Sequence, residues 1–345
     1  MIKRLIVFAV LPLLVVAGVS RTSGQGAKPA ELVMYEAGGA SGQSVEKGYL
    51  EPFTRDTGIR VKRISPQDFG KLRAMVASGA VTADLWELGG QDVEVAVKAG
   101  LLEKLDYAGV PVADLYKEAV HPYALGFQYY STVLAWRTAA FPKGPTTWKD
   151  FWDVKKFPGP RAIRDRAVDN LEFALLADGV PPDKVYPIDV ERAFRKLNEL
   201  KPHIATFWTA GAQPPQLVIA GEVVMTTVWS GRVQAVAADA PVQYTWNQGI
   251  LHLSYFTVPK GAPNRAWAMK LLPYLADPKN QARAAEVIAY TGPSRQMIDF
   301  VPKDKAGLYP TSPANYAVQM VQSQQWWAEH QAEVEQRWNE WKLQK

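Results

Sequence analysis

From Glu31 onward, short apolar runs rich in β-formers alternate with segments whose apolar residues recur every three or four positions, the alternation of an α/β layer architecture. Residues 32–35 read as a strand, and Gly38 to Gly42 as a loop. Val45, Tyr49, Leu50 and Phe53 share a helix face that Gly58 closes as a C-terminal cap. A strand at 59–64 follows, then a helix with Phe69, Leu72 and Met75 or Val76 inward that stops at Gly79. A third strand at 84–88 leads into Gly89-Gly90, and a helix carrying Val93, Ala96 and Val97 stops at Gly100. This βαβαβα succession predicts a parallel sheet with right-handed crossovers.

The middle of the chain predicts a second lobe. A strand-like run at 129–136 precedes a Pro/Gly break at 141–145, and Thr147 then caps a short helix containing Phe151 and Trp152. Helices at 171–177 and 190–200 and strands at 223–229 and 242–246 belong to it. A strand at 253–259 returns toward the first lobe. Two crossings, near Tyr130 and Tyr255, predict a two-strand hinge. The expected division is lobe 1 at 28–132 and 257–310, lobe 2 at 133–256, and a C-terminal helical segment at 311–345 packing on the lobes. In that segment Trp327, His330, Val334, Trp338 and Trp341 share one face. Because the opposite face carries acids as well as bases, the Trp-rich face is expected to pack on the protein's own body and not on a membrane.

The N-terminus changes the charge picture. Lys3 and Arg4 precede an apolar run at 5–19, followed by small or polar residues at 20–27, the plan of a secretory signal peptide at 1–26. Removing Lys3, Arg4 and Arg21 turns 39 basic residues into 36 against 34 acids, so a net charge of +5 becomes +2. The basic pI is therefore mostly a targeting signal and no nucleic-acid footprint. At 345 residues with 48% apolar content there is core enough for two lobes. Zero cysteines exclude disulfide frameworks, thiolate metal sites, cysteine nucleophiles and a lipid-modified N-terminal Cys.

The order of several short strings resembles the periplasmic solute-binding proteins of ABC importers, of the spermidine/putrescine-binding type with its amino-acid and opine-binding relatives. The strings are Leu50-Glu51-Pro52-Phe53 running to Gly58-Ile59; Ala83-Asp84-Leu85; Thr147-Trp148-Lys149-Asp150-Phe151-Trp152; Gly221-Glu222-Val223 running to Trp229-Ser230-Gly231; Trp246-Asn247-Gln248-Gly249; Val258-Pro259-Lys260-Gly261-Ala262-Pro263-Asn264; and the Trp-rich ending from Trp326. The resemblance implies a type II two-lobed α/β fold, each lobe a mainly parallel sheet flanked by helices. It further implies a monomer in the periplasm that captures a small organic solute and delivers it to an inner-membrane ABC permease, with no cofactor, no metal and no nucleic-acid partner.

Candidate site residues sit at strand ends. Trp229 would stack on a ligand, Ser230 would cap the next helix, and Arg232 in its first turn would hold an anion. Gly39 with Ser41, and Gly89 with Gln91, could bring backbone N–H groups close to a ligand. Ser254 stands where the resemblance implies an acid that meets an amine, and the polyamine binders' aromatic and acidic first loop is absent. Asp169 lies near their acidic contacts, although the arginines flanking Asp165 and Asp169 offer ion pairing instead. Tyr290, in Tyr290-Thr291-Gly292-Pro293, resembles a Tyr lining the cleft. These departures favour a compact carboxylate-bearing solute of amino-acid or opine type, with a polyamine as the alternative. A ferric-ion binder, suggested by Tyr129-Tyr130, and a periplasmic hydrolase or lyase remain as other classes. The four histidines show no metal-ligand spacing, and there is no Gly-x-Ser-x-Gly, Walker or dinucleotide motif.

Overall fold

Glycines and capping side chains set the bounds of the first elements in the computed structural model, which describes residues 27–344; the leader read at 1–26 lies outside them. Strand β1 (Glu31–Tyr35) leads through α1 (Gly39–Val45) and a π-helical stretch into α2 (Glu51–Thr57). Gly58 ends α2 with a left-handed φ of 69°, and its N–H bonds the Thr54 carbonyl. Strand β2 (Arg60–Ile64) follows, then α3 (Phe69–Ser78), whose first turn is capped by the Asp68 carboxylate. Strand β3 (Leu85–Gly89) and α4 (Gly90–Lys98) complete the expected succession, with β1 parallel to both β2 and β3.

Two long strands depart from the expected pattern. A two-residue strand, β4 (Val120–His121), hairpins onto β5 (Ala124–Arg137), which begins five residues before the expected run. Strand β9 (Val242–Thr257) merges the two strands expected at 242–246 and 253–259. The polar segment between them, which reads as a turn, is absorbed as a bulge. Gln248 adopts a φ of 59° there, and its side-chain and backbone carbonyls accept the Trp148 backbone N–H and indole N–H. Those two bonds satisfy groups that the ladder leaves unpaired.

Between the long strands lie α5 (Trp148–Trp152), β6 (Arg161–Arg164), α6 (Asn170–Ala177), α7 (Val190–Leu200), β7 (Ile204–Trp208), α8 (Gln213–Ala220), β8 (Met225–Trp229) and α9 (Ser230–Ala237). A short strand, β10 (Met320–Val321), pairs with β9. The sheet order is β2-β1-β3-β9-β5-β8-β6-β7. Strands β5 and β9 pair antiparallel along their whole length. The end of β9 at Ser254 to Thr257 also pairs with β3, while Thr132 to Trp136 of β5 pair with β8. The molecule is thus two-lobed, with two strands running through both lobes. One lobe packs around Leu32, Phe53, Phe127 and Phe256, the other around Trp148, Phe173, Leu197 and Phe194.

The C-terminal helix (Gln324–Leu343) buries Trp326, Trp327, Val334, Trp338 and Trp341, so its aromatic face packs on the protein's own body. His330 lies beside that face, stacked on Trp326 at 4.4 Å. The indole N–H groups of Trp327, Trp338 and Trp341 donate to Glu172, Asp165 and Asn198 of the second lobe. Its first turn reaches the first lobe: a Cβ at Gly90 would lie 2.2 Å from the Gln324 side chain, and the Tyr255 hydroxyl donates to Gln324. Gly90 of the second diglycine is therefore a helix-packing contact.

Candidate functional site

The carboxyl ends of β1, β3, β6 and β8 converge on one cavity of about 250 Å³, where α/β sheets place their ligands. The turn from β1 into α1 contributes Ala37 and Ser41, and the turn from β3 into α4 contributes Gly89, Gln91 and Asp92. Arg164 and Arg166 follow β6, while Trp229 and Arg232 span the junction of β8 and α9. Gln128 and Tyr130 of β5, Ser254 of β9, Gln67 and Tyr290 close the floor and sides. Glu87 points in from β3.

Aromatic rings form the walls. Tyr130 stacks on His252 at 5.0 Å and meets Trp229 edge-on at 6.0 Å and Tyr290 at 5.5 Å. The Arg164 guanidinium lies 5.1 Å from the Trp229 ring centroid. Burial pushes the Tyr130 hydroxyl up to about 12 and raises that of Tyr290, with Arg232 acting against the latter shift.

The charges are arranged unequally. Arg164 lies 3.7 Å from Asp169, and Arg166 is 3.1 Å from Glu335 of the C-terminal helix. Arg232 forms no ion pair among the described residues, and its buried Nε has no hydrogen-bond partner. Glu87 is 4% exposed and accepts the Ala37 N–H at 2.8 Å. Burial pushes its carboxyl up to about 7, Glu36 adds to the shift, and hydrogen bonds from Ala37 and Ser254 oppose it. Burial also raises Asp92, against the pull of Arg166 and Arg164.

Of the residues singled out by sequence, Ser41, Gly89, Gln91, Trp229, Arg232, Ser254 and Tyr290 line this cavity. Gly39, Ser230 and Asp169 do not. Gly39 makes room for Arg232, whose Nη2 would lie 3.6 Å from a Cβ there. Two N–H groups of its loop are already engaged, since Ala37 donates to Glu87 and Gly38 to Glu36. Ser230 is the first residue of α9 and makes no cap; its hydroxyl accepts the Ser131 N–H at 3.3 Å and ties α9 to β5. Asp169 is fully buried behind the wall. It bonds Thr132 at 2.8 Å and pairs with His252 at 2.9 Å. Burial works to raise its carboxyl, but His252, Arg164 and Thr132 together hold it below the ordinary range.

The sequence reading passed over Glu87, Asp92, Gln128, Arg164 and Arg166 as cleft residues. The usable signals were a lone acid in Leu85-Trp86-Glu87-Leu88 and a lone amide in Phe127-Gln128-Tyr129, since polar groups inside apolar strands need a reason to be buried. The Tyr129-Tyr130 pair diverges: the Tyr129 hydroxyl donates to Glu118, and only Tyr130 faces the cleft.

Residues 48–311 match the family described as bacterial extracellular solute-binding protein. The chain belongs to that family. Its similarity extends over nearly the whole length of individual members. It is 34% identical over 324 residues to the gamma-aminobutyric acid-binding protein of Pseudomonas aeruginosa, covering 91% of this chain and 92% of that one. The crystal structure of an ABC transporter substrate-binding protein from Bradyrhizobium japonicum USDA 110 superposes with a TM-score of 0.88 at 39% identity, covering 92% of this chain and all of that one. The PBP MotA from A. tumefaciens B6 in complex with glucopine superposes with a TM-score of 0.84 at 33% identity, covering 91% and 100%. As a solute-binding protein, the chain has its cavity at the strand ends where the two lobes meet.

Proposed function

We propose that this protein is the extracytoplasmic receptor of an ABC importer and captures a compact carboxylate-bearing solute of amino-acid or opine type. The observation that carries the reading is Arg232, a guanidinium at the cleft with no carboxylate partner among the described residues. Arg232 is half-buried with its Nε shielded from solvent, and a solute carboxylate supplies the missing counter-ion in bidentate geometry. Trp229, Tyr130 and Tyr290 enclose the solute's apolar part. The relatives named for gamma-aminobutyric acid and solved with glucopine both belong to this chemical class.

A polyamine is the second reading, favoured by the two acids Glu87 and Asp92 in the cleft. Three guanidiniums share that space, and a long cation without any carboxylate would leave Arg232 unanswered.

In this account the leader at 1–26 is cleaved and the monomeric protein works in the periplasm. Lobe 1 (28–132 and 257–310) and lobe 2 (133–256) close around the solute, with 311–345 riding on both. The inner-membrane permease is the partner, nucleic acid is not, and the solute is handed on unchanged. Titrating the protein with 4-aminobutyrate while following X-ray scattering and Trp fluorescence tests the reading. A decrease in radius of gyration with the solute recovered intact is expected, whereas chemical conversion of the solute would move the protein to the enzyme class.

A further inference from the structure

Five charged side chains line the cleft, and two of them are already answered: Arg164 by Asp169 and Arg166 by Glu335. Asp92 lies in the field of both arginines and accepts a hydrogen bond from Gln331 of the C-terminal helix. Arg232 and Glu87 remain, one of each sign, in a space of about 250 Å³. Glu87 has no cation within ion-pair distance among the described residues.

The surroundings of Glu87 are built to orient a carboxylate and to leave one side of it open. The Ala37 N–H holds Oε2, and the Ser254 hydroxyl holds the carboxyl from the neighbouring strand. Ser254 pairs with Gly89 in the β3–β9 ladder, two residues from Glu87, so both side chains reach the same face. An acid missing from position 254 is thus supplied one strand away. Around it stand Glu36 from the end of β1, itself 3.2 Å from Arg63 of β2, Asp92 from α4, and Tyr130 of β5. Arg164 and Arg166 from the β6 end and Arg232 from α9 complete the charged groups at the cleft.

Resting on the carboxylate reading above, we infer that Glu87, with the Ser254 hydroxyl beside it, is the receptor for an ammonium group, so that the solute is a zwitterion held by its amine at β3 and by its carboxylate at Arg232. An ammonium is all donor and fills the acceptor positions that Ala37 and Ser254 leave free on Glu87. In the empty cleft burial keeps the Glu87 carboxyl protonated to near pH 7. Arrival of the ammonium ionises it, and the proton leaves to solvent. Binding of the zwitterion near neutral pH therefore releases a proton, and affinity rises with pH up to about 7 and then levels.

Calorimetry on the full-length mature chain tests this with 3-aminopropanoate, 4-aminobutyrate and 5-aminopentanoate against propanoate, butyrate and pentanoate. Wild type should bind at least one amino acid about tenfold or more tighter than its amine-free partner. Glu87→Gln should erase that difference while leaving the plain acid within about twofold, and Arg232→Ala should weaken both. In Tris and phosphate near pH 7 the wild-type heats should differ by the release of up to about one proton, a readout that needs no variant. Equal affinity for amino and plain acids in wild type, full affinity of Glu87→Gln for the amino acid, or no proton release overturns the role of Glu87 while the carboxylate reading stands. Binding that survives Arg232→Ala unchanged overturns the carboxylate reading itself, and failure of every compound to bind overturns both.

Discussion

Asp169 occupies the left-handed region with a φ of 74° just before α6, an unusual position for a residue with a side chain. Its carboxylate ties Thr132 and His252 of the two long strands to Arg164 of the second lobe. Through these bonds one buried group sets two walls of the cleft, the His252–Tyr130 stack and the Arg164–Trp229 contact. Asp169→Ala should destabilise the fold by about 3–5 kcal/mol in denaturant unfolding, because it strands a buried imidazole and the part-buried Arg164 guanidinium. A loss below about 1 kcal/mol would show the network to be incidental. Glu87 and Glu172 give the residue scale a second test. Burial pushes both carboxyls up to about 7; Asp169 adds to the Glu172 shift, and Tyr186 and Trp327 oppose it. An unfolded Glu ionises near 4.3, so between about pH 4.5 and 7 the native state holds protons that the unfolded chain has lost. Stability from these groups therefore falls as pH rises through that window, by on the order of 1–3 kcal/mol each. His121, lowered by burial against the pull of Glu94, acts in the opposite sense. The clean measurement is thus the difference between wild type and Glu172→Gln: the variant's melting temperature should decline less from pH 5.5 to 7.5, and equal slopes would contradict the assignment.

At the scale of elements, the C-terminal helix joins what the two lobes would otherwise hold apart. Its tryptophans fill the second lobe, Gln324 meets α4 of the first and Tyr255 of the through-running β9, and Glu335 holds the cleft residue Arg166. Trp338 is fully buried and bonds Asp165, so Trp338→Ala should cost about 3–5 kcal/mol in denaturant unfolding. An unchanged midpoint would mean that the helix is not part of the cooperative fold. Periodicity made this helix and the first-lobe succession from β1 to α4 legible, because each has a clear apolar face and a glycine or capping residue at its end. Strand β9 was not legible as one element. Trp246-Asn247-Gln248-Gly249 has the local chemistry of a turn, and distant partners, Trp148 a hundred positions away from Gln248 and the Val318 carbonyl, satisfy it as a bulge. The cleft was legible where a residue follows a strand end, as with Trp229 and Arg232. It was not where a charge sits inside a strand, as with Glu87, or where partners from distant segments decide whether a charge is free, as with Asp169.

On the scale of the whole molecule, the lobes share two strands and one crossing helix, and the cleft is walled from both sides of that junction. Gly39 and Ser41 stand on the first lobe, with Trp229 and Arg232 on the second, and the Arg232 guanidinium already spans the gap to Gly39. A solute that neutralises Arg232 while touching the first lobe favours the closed arrangement through its differential contacts, which is how a binding protein couples capture to closure. The central claim, that this cleft holds a compact zwitterion through Arg232, is tested most directly by native mass spectrometry of the protein recovered from the periplasm of cells that make it. One small amino-carboxylate should be retained per chain and be absent from Arg232→Ala recovered in the same way. A retained polyamine or metal ion, undiminished in Arg232→Ala, would contradict it.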